Sequence, residues 1–525
     1  MAQKLRYMNL NIVNTFTSEL PADSNLGNSR RQVTEAVFSY VNPKKPKAPK
    51  VMHVSQEMAF ELNISEEETT SEFFKNIFTG NEVYPKTKPF SMCYGGHQFG
   101  NWAGQLGDGR AINLFEVEHQ NKNWKVQLKG AGDTPYSRTA DGLAVLRSSI
   151  REYLCSEAMF HLGVPTTRAL SLSLSGDDVL RDILYNCNPA YEKGAIVSRI
   201  SPSFLRFGNY EIFTARKDVE NLKSLVDYTI KHHFSHLGEP SKKNYINFFA
   251  AISERTLEMI IHWQRVGFVH GVMNTDNMSI LGLTIDFGPY GWLEGFDFGW
   301  TPNTTDRQHK RYRYGNQPNI GLWNLYQLAN AIYPIIEEVE PLETILEKYK
   351  NDFEEKSLQM MKSKLGLFTS DKNDVELIQN LEDNLQLVET DMTIFFRNLS
   401  CFTNKKTSLQ LIEKAFYDFN TVTKEVKNKW AFWFLNYEIR LQQEEISSEE
   451  RKQKMDAVNP KYVLRNYMSQ LAIDAADEGD YSLIDELFNL LKKPYTEQSE
   501  NEKWFAKRPE WARDKVGCSM LSCSS

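Results

Sequence analysis

The sequence predicts an α+β fold that is β-rich in its first half and helical in its second. Residues 123–130, NWKVQLKG, alternate apolar and polar side chains with the period of a strand. Residues 146–163, LRSSIREYLCSEAMFHLG, repeat apolar side chains at helical spacing before a Gly. Helical patterns also cover residues 217–267 and most of the chain after about residue 318. The 525 residues, 41% of them hydrophobic, are enough for large cores in about two to four structural units.

Residues 1–90 are interpreted as a mixed N-terminal extension without chemistry, although SEEETTSEFFKNIF is typical of a helix. A Gly-rich stretch, YGGHQFGNWAGQLGDGR, then precedes a predicted strand. Glycines such as Gly107 and Gly109 let backbone N–H groups approach a phosphate, and the guanidinium of Arg110 adds forked donors. The stretch matches neither GxGxxG nor GxxxxGKS, so alone it is a weak signal.

The segment 269–290, VHGVMNTDNMSILGLTIDFGPY, is typical of the catalytic segment of a protein kinase. His270 and Asn277 keep the HRDxxxxN spacing, and the DFG at Asp286 follows. The position of the catalytic Asp, however, is Val272, which cannot accept a proton. A displaced carboxylate, Asp276, directly precedes the Asn. An Asp in this position is also typical of a helix or turn cap.

The order of a Gly-rich loop, a strand ending in Lys129 and a helix carrying Glu152 and Glu157 is that of a kinase N-lobe. There the Glu holds the Lys against nucleotide phosphates; the alternative is a surface ion pair. The alternation of the strand predicts that Lys129 lies on the face opposite the apolar residues. Arg199 and Arg206 could reach the same site only if the chain bends at Ser201-Pro202.

The formal net charge of −7 argues against a nucleic-acid partner. The absence of a long apolar run argues against a membrane partner, and the N-terminus lacks a signal-peptide pattern, so a cytoplasmic location is predicted. Basic residues cluster at 44–50 and 307–313, and each cluster is interpreted as a solvated loop.

Six cysteines in so long a chain do not indicate a disulfide framework. Four of them are predicted to be buried small residues: Cys93, Cys155, Cys187 and Cys401. Cys518 and Cys523 lie in the terminal GCSMLSCSS, which is interpreted as a frayed end, with exposed thiols on a flexible arm as the alternative.

From about residue 90 to the end, the chain resembles the selenoprotein O family, whose bacterial members are called YdiU. The resemblance rests on YGGHQFGNWAGQLGDGRA, QLKGAGDTPYSRTADG, LRSSIREYLCSEAM, FVHGVMNTDN, TIDFGPYG, RYRYGNQPNIGLWNL, NPKYVLRNYM and the terminal SCSS with Cys523. It implies a protein-kinase-like bilobal fold with a β-rich N-lobe, a helical C-lobe and extra terminal segments. The corresponding ranges are an N-terminal extension 1–90, an N-lobe 91–207, a C-lobe 208–430 containing the catalytic segment 269–290, and a C-terminal helical region with a tail, 431–525.

The resemblance implies AMP transfer from ATP to Ser, Thr or Tyr hydroxyls of proteins, with Mg²⁺ or Mn²⁺, and it links bacterial relatives to UMP transfer from UTP. It implies a reversed nucleotide whose γ end is buried among basic groups. The matching nucleotide-binding positions are Gly107, Gly109, Arg110, Lys129, Asp141, Gly142, Arg199, Arg206 and Asp286, with Glu152 supporting Lys129. Asp276 matches the proton acceptor, and Asn277 and Asp286 match the metal ligands.

Pro302 departs from the family, because many members have a Cys in this loop that can pair with a C-terminal thiol. A redox latch is therefore not expected in this chain. Two other functions stay open: a γ-phosphotransferase, which would release ADP, and an inactive kinase-like scaffold.

Overall fold

The computed structural model describes residues 8–138, 141–182, 187–403 and 408–522. Its strands are β1 (Ile12–Val13), β2 (Phe38–Tyr40), β3 (Lys50–Val54), β4 (Phe90–Met92), β5 (His97–Gln98), β6 (Asn101–Trp102), β7 (Ala111–His119), β8 (Lys122–Lys129), β9 (Ala144–Val145), β10 (Arg168–Arg181), β11 (Ala190–Ser201), β12 (Phe268–Val269) and β13 (Gly291–Trp292).

Within the described residues, nine strands form one antiparallel sheet in the order β2-β4-β7-β8-β11-β10-β3, with β1 on β7 and β9 on β11. The small hairpins β5-β6 and β12-β13 lie outside it. Strands from the first 90 residues therefore belong to the same sheet as β7 and β8.

The first helices are α1 (Thr15–Glu19), α2 (Gln56–Glu61), α3 (Glu66–Thr69), α4 (Glu72–Phe78), α5 (Leu146–His161), α6 (Phe207–Ala215), α7 (Val219–His233) and α8 (Lys242–Val266). The later ones are α9 (Gln317–Ile336), α10 (Glu340–Leu365), α11 (Asp374–Leu385), α12 (Met392–Leu399), α13 (Ser408–Ile412), α14 (Lys424–Leu441), α15 (Ser448–Val458), α16 (Asn466–Asp477) and α17 (Ser482–Leu491). Capping residues determine where helices begin and end, as α8 shows. The Ser241 side chain caps its N-terminus, and Gly267, with φ +73°, ends the helix. This mixture of an antiparallel sheet and many helices confirms the α+β prediction.

The sheet is packed on both faces. Val126 and Leu128 of β8 lie in a core with α2 and α4, whereas α5 packs on the other face in the main core that continues into α6–α9 and α16–α17. The alternation predicted for β8 is confirmed. The polar face of β8 is also buried, however, because Lys125, Gln127 and Lys129 are at most 8% exposed.

Two predictions about cysteines are wrong in part. Cys93 and Cys155 are buried as predicted, but Cys187 and Cys401 are exposed. The tail does not fray over its described part, since Cys518 and Leu521 are fully buried. The Leu521 carbonyl accepts hydrogen bonds from Thr304 N (2.7 Å) and Thr304 Oγ1 (2.8 Å), beside Pro302. Cys523 lies outside the described residues.

No helix in the described part of the chain is both long enough and apolar enough to cross a membrane.

Candidate functional site

A cavity of about 340 Å³ lies between the sheet and the catalytic segment 269–290. Ten of the twelve residues predicted for the site line it: Gly107, Gly109, Arg110, Lys129, Asp141, Arg199, Arg206, Asp276, Asn277 and Asp286. Gly142 and Glu152 do not line it. These motifs, which are far apart in the sequence, therefore meet around one space.

Asp286 is the centre of a dense charged cluster. Its carboxylate pairs with the guanidinium groups of Arg199 and Arg206. Burial raises the pKa of Asp286, but Arg206 and Arg199 outweigh it and hold that pKa well below its usual range. Asp286 has φ +57°, a left-handed conformation that is uncommon for a residue other than Gly. The turn directs the carboxylate into the cavity beside the two arginines.

Lys129 and Arg199 share the carboxylate of Glu152 on α5. Lys129 Nζ pairs with one oxygen of Glu152, and Arg199 Nε lies 2.8 Å from the other. Burial lowers the pKa of Lys129, while Glu152 opposes that shift. The alternative of a surface ion pair is wrong, because all three residues are buried. We call this part of the cavity the cationic end. It is defined by three cations, Lys129, Arg199 and Arg206, together with the carboxylates that hold them, Glu152 and Asp286.

A bend between β11 and α6 brings Arg199 and Arg206 together. β11 ends at Ser201, whose Oγ donates to the Ser203 carbonyl (2.7 Å) and accepts from Ser203 N (3.3 Å). Arg206 then precedes α6. Its Nη1 also donates to the Asp276 carbonyl at 2.7 Å. The predicted bend is confirmed, and it explains how residues seven apart reach one carboxylate.

Asp276 lines a second part of the cavity, which adjoins the cationic end because Arg206 Nη1 holds the Asp276 carbonyl. Its Oδ2 accepts a hydrogen bond from Gln98 Nε2 at 3.2 Å, and its Oδ1 accepts none from a described residue. Burial raises the pKa of Asp276 to about 7. Its side chain accepts from Gln98 rather than closing a following turn, which argues against the turn-cap alternative. Val272, in the usual position of the catalytic Asp, lines the same cavity but offers no oxygen.

The β5-β6 hairpin covers this end, which we call the Asp276 end and define by Gln98, Asn274 and Asp276. The hairpin is attached to the catalytic segment by hydrogen bonds from His97 N to Thr275 Oγ1 (2.7 Å) and from Phe99 N to Asn274 Oδ1 (3.2 Å). Gln98 is thereby placed against Asp276. No pattern in the sequence indicates this contact, apart from the position of Gln98 in the Gly-rich stretch.

Asn277 and Asp286 suit a divalent cation that prefers oxygen ligands. Asn277 Nδ2 donates to the Val272 carbonyl (2.9 Å), so the amide oxygen is the atom left for a ligand, and both residues line the cavity. Among the described residues, no cluster of three or more His, Cys, Asp or Glu side chains could hold a metal ion. Two protein oxygens with substrate phosphates are nonetheless sufficient for Mg²⁺. His270 is buried and contacts the Ile285 carbonyl through Nε2 (2.9 Å), joining the two parts of the segment.

The Gly-rich loop approaches the cavity where side chains would not fit. A Cβ on Gly107, which has φ +79°, would overlap the Tyr136 ring, and a Cβ on Gly109 would lie 2.8 Å from Asp141 Oδ2. Asp141 is paired with Arg138 (3.1 Å). Arg110 lines the cavity and has no ion pair with a described residue. Gly142, with φ +99°, lies in the segment between β8 and β9, where its carbonyl accepts a hydrogen bond from Gly132 N (3.0 Å).

Asp108, within the LGDGR motif, was missed by the sequence analysis. Its Oδ2 accepts from Met92 N (3.0 Å) and Asn113 Nδ2 (3.1 Å), whereas its Oδ1 has no partner among the described residues. Burial raises the pKa of Asp108 to about 6, although Arg206 opposes the shift.

A reciprocal contact joins α5 to the segment that follows the DFG. Arg151 Nη2 donates to the Tyr290 carbonyl (2.8 Å), and Tyr290 Oη donates to the Arg151 carbonyl (2.8 Å). The Arg151 guanidinium also lies 4.3 Å from the Tyr290 ring centroid. Since Arg151 precedes Glu152, this contact links the positions of Glu152 and Asp286.

Comparisons with known proteins identify an enzyme of the nucleotidyltransferase class. The sequence profile of the family described as protein adenylyltransferase SelO matches residues 24–492. A protein nucleotidyltransferase YdiU of Flavobacterium johnsoniae is 64% identical over 521 residues, covering 98% of this chain and 100% of the relative. Proteins of the same name from Rhodopirellula baltica and Aromatoleum aromaticum are 53% and 51% identical, each over 98% of this chain and 98% and 100% of their own lengths. The chain belongs to the SelO family.

Proposed function

We propose that this enzyme transfers AMP from ATP to Ser, Thr or Tyr hydroxyls of proteins and releases pyrophosphate. The observation that carries the proposal is the lining of the cavity: four cations border the same space as a buried carboxylate, that of Asp276, which has one oxygen without a partner among the described residues. The order of the parts supports a protein-kinase-like bilobal arrangement with an N-lobe of about 91–207 and a C-lobe of about 208–430.

The cationic end suits the β- and γ-phosphates of the nucleotide. Arg199 and Arg206 offer forked donors to phosphate oxygens, while Lys129 acts as a point charge held by Glu152. Arg110 adds a fourth cation on the Gly-rich loop. A reversed nucleotide would leave its α-phosphate towards Asp276.

In the reaction, the acceptor oxygen forms a bond to the α-phosphorus, and the bond from that phosphorus to the bridging oxygen breaks. The acceptor proton passes to Asp276, and the electron pair leaves with pyrophosphate. The ionised side chain of Asp276 accepts the proton through Oδ1, because Gln98 already occupies Oδ2. The cations at the other end stabilise the charge that develops on the leaving group.

Asn277 and Asp286 would hold Mg²⁺ or Mn²⁺, which supplies charge neutralisation across the phosphates when bound. The Asp286 carboxylate would then contact the metal ion in addition to Arg199 and Arg206. Those arginines can turn to phosphate oxygens, since both side chains already border the cavity.

Product analysis with ATP labelled at the α- or the γ-phosphate tests the proposal, with Mg²⁺ and Mn²⁺ supplied separately and UTP compared with ATP. The expected result is labelled protein from the α label only, together with pyrophosphate. ADP and protein labelled from the γ position would support the γ-phosphotransferase instead, and nucleotide binding without any product would support a scaffold. A cytoplasmic location is also proposed for this enzyme.

A further inference from the structure

The segment 307–313, called the basic loop below, is a concentrated positive patch on a chain of net charge −7. It carries Arg307, Lys310, Arg311 and Arg313. Arg307 and Lys310 are exposed, and Arg311 and Arg313 are half-buried. None of the four forms an ion pair with a residue that the structure describes. Their charges are therefore available to a partner.

Asp306, the acidic residue beside these cations in sequence, is used to shape the basic loop rather than to neutralise it. Asp306 is buried, and its two carboxylate oxygens accept hydrogen bonds from Arg311 N (2.9 Å) and Tyr312 N (2.7 Å). Asn316 Nδ2 also donates to the Arg311 carbonyl (2.7 Å). These backbone contacts give the loop a defined shape, which a merely solvated loop would not need.

The basic loop is attached to the Asp276 end of the cavity. Tyr312 Oη donates to Asn274 Oδ1 at 2.6 Å and accepts from Phe99 N at 3.0 Å. The Arg311 guanidinium lies 4.6 Å from the Trp323 ring and borders Gly100 at the tip of the β5-β6 hairpin. The basic loop is thus joined, through Tyr312, to two residues that line the cavity near Asp276, namely Phe99 and Asn274.

We propose that the basic loop binds an acidic segment of the protein acceptor and brings a nearby hydroxyl to Asp276. The inference rests on the proposed function, because it places the acceptor at the Asp276 end. An acidic peptide is favoured over a nucleic acid for two reasons. The chain is acidic overall, and four cations are fewer than the about six to ten phosphate contacts typical of DNA-binding proteins.

Two synthetic peptides test the proposal, each with the same central hydroxyl residue but flanked by Glu in one and Gln in the other. The wild-type enzyme should prefer the Glu peptide by about tenfold in kcat/KM at low salt, and the preference should shrink as salt is added. The double variant Arg307→Glu/Lys310→Glu should lose this preference while keeping its kcat/KM for the Gln peptide.

The matched control is Lys45→Glu/Lys47→Glu in the other basic cluster. Both lysines are exposed, neither lines the cavity, and neither makes a hydrogen bond or an ion pair with a described residue. This control should retain the preference for the Glu peptide. Equal use of both peptides by the wild type, or equal loss in both double variants, would overturn the proposal.

Binding of a fluorescent Glu peptide, measured in the same samples, tests the role of the basic loop separately from the proposed AMP transfer. If the peptide binds through Arg307 and Lys310 but no pyrophosphate appears, the proposed function fails and the role of the loop stands. An RNA oligonucleotide of similar length is the competing probe. Tighter RNA binding that is lost in Arg307→Glu/Lys310→Glu would assign the loop to nucleic acid and overturn the proposal.

Discussion

The two ends of the cavity differ in how firmly their side chains are held. At the cationic end, Glu152 pairs with two cations and Asp286 with two arginines, so that each carboxylate has several partners. At the Asp276 end, the carboxylate has one side-chain hydrogen bond, of 3.2 Å, and one oxygen without a partner among the described residues. Groups that bind a substrate can be held by redundant contacts, whereas a group that must take up a proton needs a free atom. Changes at the two ends should therefore have different kinetic signatures.

The largest effect is expected from Asp286→Ala at the cationic end. This change removes a candidate metal ligand and the partner of two arginines, and we expect AMP transfer to fall by about a thousandfold. Labelled-ATP transfer assays would measure the loss, and circular dichroism would check that the protein is folded. Substantial activity in a folded variant would show that Asp286 does not hold the metal.

Asp276→Ala should lower kcat by at least about a hundredfold and leave ATP binding almost unchanged, because the proton acceptor and the phosphate-binding groups are separate side chains. Calorimetric ATP titration beside transfer kinetics would separate the two quantities. Val272→Asp is the companion variant. It restores the usual kinase residue but should not produce ADP, since the cations still surround the γ end. If Asp276→Ala also loses affinity for ATP, then Asp276 contributes to nucleotide binding and the two parts of the cavity do not have separate roles.

Lys129→Ala should weaken nucleotide use by about tenfold or more in kcat/KM, and Glu152→Gln should do so less. Glu152 acts on the nucleotide only by orienting Lys129 and Arg199. Steady-state kinetics with varied ATP would rank the variants. Wild-type kinetic constants in both variants would show that the ion pair of Lys129 and Glu152 is not part of the functional site.

The sequence predicted the contacts that belong to recognisable motifs and missed those that depend on distant packing. The pair of Lys129 and Glu152 followed from the order of loop, strand and helix, and a bend at Ser201-Pro202 was identified as the condition for Arg199 and Arg206 to meet. Gln98 could not be assigned, because its contact with Asp276 spans 178 positions. No local pattern reports such a contact.

The same reasoning explains the errors in the fold. Strands β1–β3 contain only two to five residues each, too few for an alternating pattern, so the contribution of residues 1–90 to the sheet was not predicted. The tail was interpreted as frayed because it is a chain terminus in which no sequence pattern indicates order. Its order depends on hydrogen bonds to Thr304, more than 200 positions away in sequence.

A smaller effect should come from the contact that couples α5 to the DFG segment. Tyr290→Phe removes the hydrogen bond to the Arg151 carbonyl but leaves the ring and the bond from Arg151 to the Tyr290 carbonyl. We expect kcat to fall by about two- to tenfold, which is the effect of one lost hydrogen bond. A double-mutant cycle with Glu152→Gln would test the coupling. If the effects of the two substitutions add exactly, the hydroxyl of Tyr290 contributes only to the fold and is not coupled to Glu152.

The last expected effect concerns stability rather than activity, at Asp108, which lies beside the cationic end and forms no ion pair with a described residue. Its pKa in the folded protein is about 6, against 3.8 for an ordinary Asp, so between these values the folded state binds more protons than the unfolded state. The free energy of unfolding should therefore fall as pH rises through this window, by on the order of 1–3 kcal/mol. Asp108→Asn cannot ionise and should lack this contribution, so its stability relative to wild type should increase from about pH 4 to pH 7. Urea denaturation of both proteins across this range measures the difference. A difference that does not vary with pH would mean that Arg206 already compensates the charge of Asp108, and the cationic end would then extend to a third carboxylate.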